Sequence, residues 1–174
     1  YGSADYYYVN KSSLPKVYGG FNTSLSWKGF DLSAIFAYSI GGYIYNRDIT
    51  MILHNGSLEG RDWSTEILKR WTPDNRNTDV PALSTTTNNW NSASTRFLQN
   101  NSYMRLKNLT LSYNLPKQWI SKLSLSSVQV YVQGDNLFTI HRNQGLDPEQ
   151  GITGITYYRY PAMRTISGGI NVSF

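Results

Sequence analysis

Val17-Tyr18-Gly19-Gly20-Phe21-Asn22-Thr23-Ser24-Leu25-Ser26-Trp27, the pair Lys28-Gly29, then Phe30-Asp31-Leu32-Ser33-Ala34-Ile35-Phe36-Ala37-Tyr38-Ser39-Ile40: this stretch decides the fold. Its odd positions from Val17 to Trp27 are apolar or small, and the even ones carry Asn22, Ser24 and Ser26. Period-2 alternation of this kind is the mark of a strand with two unlike faces. After Lys28-Gly29, a tight-turn pair, Phe30, Leu32, Ala34, Phe36, Tyr38 and Ile40 continue the apolar set opposite Asp31, Ser33 and Ser39. Two long antiparallel strands joined by a short turn are expected.

The same alternation recurs downstream. Leu109, Leu111 and Tyr113 oppose Asn108, Thr110 and Ser112, but Met104 and Leu106 are out of phase with them. A bulge near Lys107 restores the phase, because one extra residue shifts the pleat by one. Val128, Val130 and Val132 begin a fourth strand that extends to about Ile140, and Arg164–Phe174 reads as a fifth. The connections alternate in length: short at 28–29, long at about 46–95, short at 114–127, long at about 141–162. Ser64–Trp71 in the first long loop reads as a short helix capped by Ser64 and ended by Thr72-Pro73. A helical turn fits Lys117–Leu123.

Composition limits the fold classes. The 174 residues include 16 Lys+Arg, 11 Asp+Glu, 14 Tyr, 6 Phe, 5 Trp and no Cys. Charged residues make up 16%, against roughly 25% in an ordinary soluble domain. Abundant aromatics argue against disorder, and the absence of cysteine excludes a disulfide framework. The net charge of +5 is scattered, with Lys69-Arg70 the nearest approach to a cluster, so nucleic acid is not an expected partner. No apolar run reaches the ~20 residues of a spanning helix. A transmembrane barrel escapes that test because its apolar and polar residues alternate.

Tight turns at one end, long loops at the other and strands of ~10 residues are the asymmetry of an outer-membrane β-barrel. Five strands cannot close one, since open edges are intolerable in lipid. The expected fold is therefore all-β: an antiparallel meander supplying the last five or so strands of a larger transmembrane barrel, over 17–174. Residues 1–16 form a lead-in of uncertain structure, and Tyr1–Asp5 lacks the basic and apolar segments of a secretory leader.

The sequence resembles the C-terminal end of the SusC/RagA family of TonB-dependent outer-membrane transporters of Bacteroidetes. The resemblance rests on Leu14–Phe21, Trp27–Leu32, Arg70-Trp71-Thr72-Pro73, Asp79-Val80-Pro81 and Arg96-Phe97-Leu98. It continues through Ser102–Pro116, Val130–Thr139, Gly145-Leu146-Asp147-Pro148-Glu149 and Tyr160-Pro161 to Phe174. It implies a barrel of the 22-stranded type with an N-terminal plug, energised through TonB. It also implies a SusD-like surface lipoprotein as partner and glycans or peptides as cargo. On that reading the remaining partners are outer-membrane lipid and the rest of its own barrel, with no cofactor.

Candidate residues follow from both readings. Trp27, Phe36, Tyr38, Tyr113 and Phe174 read as lipid-facing or interfacial, with Phe174 at the barrel's terminal position. Trp63, Trp90, Tyr157, Tyr158 and Tyr160 fall in the long loops, where flat rings suit stacking on a sugar or contact with a partner. The glycine pairs at 19–20, 41–42 and 168–169 lie beside strands and mark bends or close approaches rather than phosphate cradles. No catalysis is expected. His54 and His141 read as exposed loop histidines without zinc spacing. Asp74, Asn75, Asn77 and Asp79 read as a capped turn rather than a calcium loop. Asp147 and Glu149 read as solvated loop carboxylates. The alternative from another class is a soluble carbohydrate-binding β-sandwich, suggested by aromatic-rich loops on small polar strands.

Overall fold

A computed structural model describes residues 6–54, 60–84, 92–143, 145, 147–149 and 151–174. It divides into two units: Tyr1–Leu14, Tyr43–Asn100 and Gln150–Arg159 form one, and Pro15–Gly42, Asn101–Glu149 and Tyr160–Phe174 the other.

The second unit holds the principal sheet. Its strands are β1 (Val17–Trp27), β2 (Phe30–Ile40), β5 (Tyr103–Asn114), β6 (Ser127–His141) and β8 (Thr165–Ser173). They are ordered β1-β2-β5-β6-β8, and every pair is antiparallel. Lys28 and Gly29 both have positive φ, 48° and 90°, as the two-residue primed turn requires to match strand twist. Trp27 and Phe30 close that hairpin opposite one another.

The bulge lies where the phase change demanded it. Against β2 the register jumps from Ile35↔Asn108 to Phe36↔Leu106, which leaves Lys107 without a partner. Against β6 it jumps from Asn108↔Asp135 to Leu106↔Phe138. Leu109, Leu111 and Tyr113 thereby share a face with Met104 and Leu106. The register extends that face through Phe21, Phe36, Val130, Val132, Ile166 and Ile170. Phe21 and Phe36 stack at 4.7 Å between centroids, and Phe30 and Tyr113 meet at 4.5 Å.

This apolar face is open. Val130 is 43% exposed and Ile166 71%, so among the described residues no second layer covers them, as the sandwich alternative requires. A broad uncovered face of aliphatic and aromatic side chains is the surface that a bilayer solvates. No helix among the described residues is long and apolar enough to cross a membrane.

The first unit is built from short elements inside the long loops: β3 (Tyr43–Asn46), α1 (Arg47–Ile52), β4 (Leu98–Asn100) and β7 (Ile155–Thr156). They form a three-stranded sheet ordered β4-β3-β7, in which β7 runs parallel to β3. Asn46 caps α1 by accepting the Ile49 N–H at 3.1 Å. Buried Ile44 and Phe97 anchor this sheet, and Ile67 with Val80 forms a satellite core. The helical segment after Ser64 is a 3₁₀ turn, Thr65–Lys69, capped by the Ser64 side chain. In the second unit, α2 (Lys117–Ile120) and a 3₁₀ turn fill the β5–β6 connection.

Candidate functional site

The face opposite the apolar one is polar and internally hydrogen-bonded. Near the turn end, one chain of side chains crosses all five strands. Ser26 donates to Asp31, Asn114 donates to Asp31 at 2.7 Å, Gln129 to Asn114 at 3.1 Å, and Asn171 to Gln129 at 3.2 Å. Halfway along, Asn108 donates to Asp135 at 2.7 Å while Gln133 donates to the same carboxylate. Alternation alone puts these residues on one side, and the register makes them neighbours. Amides, hydroxyls and a few carboxylates make this face polar and wettable.

At the loop end stands a charged cluster. Arg105 of β5, 3% exposed, donates through Nε to Thr139 at 2.9 Å, through Nη1 to Glu149 at 2.8 Å and through Nη2 to Asp147 at 2.6 Å. Lys107, raised by the bulge, pairs with Glu149 at 2.5 Å. Asp147 also accepts the backbone N–H of Glu149 at 2.8 Å and of Ala162 at 2.7 Å. Burial by itself raises the Asp147 pKa. The two backbone N–H groups and Arg105 outweigh it and hold the carboxyl below its ordinary range. Beside it Pro148 is fully buried, and its carbonyl accepts from Asn101 at 2.8 Å.

This corrects the expectation of a solvated loop carboxylate for Asp147, whose side chain is only 7% exposed, whereas Glu149 stays exposed at 38% although Arg105 pairs with both. The sequence carried a signal for it, since both partners lie in the blocks that resemble the family. Nothing local said that blocks 42 residues apart meet.

His54 is a second correction. It is completely buried rather than exposed, set edge-on against Trp63 with centroids 5.2 Å apart. Among the described residues neither ring nitrogen has a hydrogen-bond partner. His141 is exposed, and its Nδ1 meets the carbonyl of Asn143 at 2.9 Å. Among the described residues no group of three or more His, Cys, Asp or Glu could hold a metal. The segment after Trp71 is a turn tied by Asn75, whose amide donates to the carbonyls of Lys69 and Arg70.

The described loop aromatics have separate surroundings. Tyr157 and Tyr158 touch at 4.3 Å, with the Arg47 guanidinium over Tyr157 at 4.8 Å. Asp48 holds that pair by accepting the Tyr158 N–H at 3.0 Å and the Thr156 hydroxyl at 3.3 Å. Trp63 belongs to the separate His54 contact. Tyr160 is 97% exposed, and Trp90 lies outside the described residues. Tyr6, Tyr7, Val9, Tyr45 and Leu98 line an open cleft of about 450 Å³ in the first unit.

No family model matches the chain. Over 166 residues it is 35% identical to TonB-dependent receptor P3 of Formosa agariphila, an alignment covering 89% of this chain and 16% of that protein. It is 27% identical over 168 residues to TonB-dependent receptor SusC of Bacteroides thetaiotaomicron, covering 96% of this chain and again 16% of the relative. Among solved structures, the RagAB peptide importer in its open-open state superposes with a TM-score of 0.87 at 34% identity. That match covers 100% of this chain and 19% of the other. The chain thus spans under a fifth of the length of the proteins it matches. The uncovered apolar face, the wet opposite face and these likenesses agree: the chain belongs to the SusC/RagA family of TonB-dependent transporters, as an all-β part of the barrel.

Proposed function

We propose that this chain forms the C-terminal staves of an outer-membrane importer whose plug and TonB-contacting segment lie elsewhere in the protein. Its apolar face meets lipid and its polar face lines the water-filled interior. The observation that carries this is the five-stranded sheet itself, with one face apolar and uncovered and the other crossed by a continuous hydrogen-bond chain. The outer backbone edges of β1 and β8 pair with the rest of the barrel, because no edge can stay open in lipid.

The cargo is a glycan or a peptide, received with a SusD-like surface lipoprotein. Trp63, Trp90, Tyr157, Tyr158 and Tyr160 are the loop residues offered to cargo or partner. The protein carries out transport and no covalent chemistry. Full-length protein should fractionate with the outer membrane, need detergent for extraction and co-purify with a surface lipoprotein. Its uptake of labelled oligopeptides or oligosaccharides should stop when TonB is deleted. Recovery as a soluble monomer without detergent would favour the carbohydrate-binding module instead.

A further inference from the structure

We propose that Arg105 and Asp147 form a strap that fixes the roots of the loop carrying Tyr157 and Tyr158, making them positioning residues for that loop; this rests on the transporter reading above. The Asp147 carboxylate joins three different parts of the chain. Oδ1 takes the Arg105 guanidinium from the wall at 2.6 Å and the Glu149 N–H at 2.8 Å, where the loop departs. Oδ2 takes the Ala162 N–H at 2.7 Å, where the loop returns toward β8. One side chain therefore joins positions 15 apart in the sequence, within the size of a compact surface loop whose ends are held together.

The strap is built to be rigid. Arg105 is 3% exposed and spends three of its donors on Thr139, Asp147 and Glu149, so its orientation is fixed from both the strand and the loop side. Lys107 adds a second cation to Glu149 and brings the cluster to two positive and two negative groups. Buried Pro148, held by Asn101, wedges the departing strand of the loop. The guanidinium fork reaches two different carboxylates, Nη1 to Glu149 and Nη2 to Asp147, a geometry that a lysine, with its single ammonium, cannot reproduce. None of these residues is an exposed loop aromatic, so the strap acts on cargo or partner only through the loop it roots.

The test uses the full-length transporter in outer-membrane vesicles, with D147N, R105Q, R105K and E149Q variants. Limited trypsin digestion is followed by mass spectrometry for the new N-terminus at Tyr160, created by cleavage after Arg159. Barrel assembly is read separately from the mobility difference between heated and unheated samples in SDS gels. D147N and R105Q should speed cleavage after Arg159 by roughly tenfold or more, as expected when a locked segment opens locally. R105K should give partial rescue and E149Q the smallest change, because Glu149 holds no returning backbone. Assembly should be unchanged in D147N. Wild-type cleavage rates in both D147N and R105Q overturn the strap, as does equal loss of assembly in all four variants, which would make the cluster a support of the wall only. A wild-type protein that shows no heat-modifiable band would instead sink the barrel reading itself.

Discussion

The ring of Tyr131 on β6 occupies the space above Gly169, its cross-strand partner on β8. A Cβ built on the glycine would meet the phenol at 2.7 Å from Oη and 2.9 Å from Cε1 and Cζ. Gly19 on β1 and Tyr38 on β2 repeat the arrangement on the opposite face, with the hydroxyl at 3.0 Å. An aromatic ring laid over a strand glycine covers backbone that would otherwise lack side-chain packing, and it pins the register. β8 has only β6 beside it in this sheet, as β1 has only β2, so both contacts pin an edge strand. Gly169→Ala forces the ring aside and should cost about 1–3 kcal/mol, the usual range for overpacking. Urea unfolding of the full-length barrel in detergent should show this loss, and Tyr131→Ala should relieve most of it in the double variant.

The two faces of β8 give a sharper test. Ile170 points to the uncovered apolar side, whereas Asn171 points to the polar side, where it donates to Gln129. Ile170→Arg should cost about 2–4 kcal/mol near the bilayer midplane, and Asn171→Arg much less, because the lumen is wet. Equal assembly of the two variants into the outer membrane would reverse the assignment of the faces.

The strands, the tight turn and the bulge were legible in the sequence because each leaves a local trace: period-2 alternation, Lys28-Gly29, and the phase slip between Leu106 and Leu109. What was not legible depends on partners far along the chain. β7 is a two-residue strand, Ile155–Thr156, that exists because Tyr45 and Asn46 pair with it. Burial of His54 against Trp63 comes from folding within the long loop, and a polar, irregular stretch gives no periodicity from which to infer it. The carboxylates Asp147 and Glu149 are visible as residues, but their partner Arg105 lies 42 and 44 positions away in a stretch whose alternation gives no sign of the pairing.

Asp147 predicts a pH dependence with a definite sign. Its pKa is lowered in the folded protein, so its stabilisation is complete above the ordinary carboxylate value of about 3.9 and is lost as pH falls through the lowered folded value. The strap should therefore hold throughout the neutral range and open only in acid. Amide hydrogen exchange at Ala162, corrected for the intrinsic rate, should stay protected in the wild type until that acid window. In D147N protection should be weak at every pH, and the two proteins should converge at the acid end. Breaking the buried pair from one side should cost about 3–5 kcal/mol locally.

Deletion of Lys107 tests the bulge, and the expected outcome follows from counting residues. With Lys107 in place, Met104 and Leu106 lie on the same side as Leu109, Leu111 and Tyr113, because Lys107 is an extra residue against β2, whereas opposite β6 the shift leaves the extra residue on β6. Deleting it joins Leu106 to Asn108, and strict alternation then still puts Met104, Leu106, Leu109, Leu111 and Tyr113 on one face and Arg105, Asn108, Thr110 and Ser112 on the other. The deletion removes the bulge without turning either group, so the heat-modifiable barrel should still assemble. Lys107→Ala keeps the backbone count and removes only the ion pair with Glu149, a partly exposed pair worth about 0–1 kcal/mol. It should assemble like the wild type. Loss of assembly in the deletion but not in Lys107→Ala would show that assembly needs the bulged backbone itself rather than only the common facing of the two halves of β5.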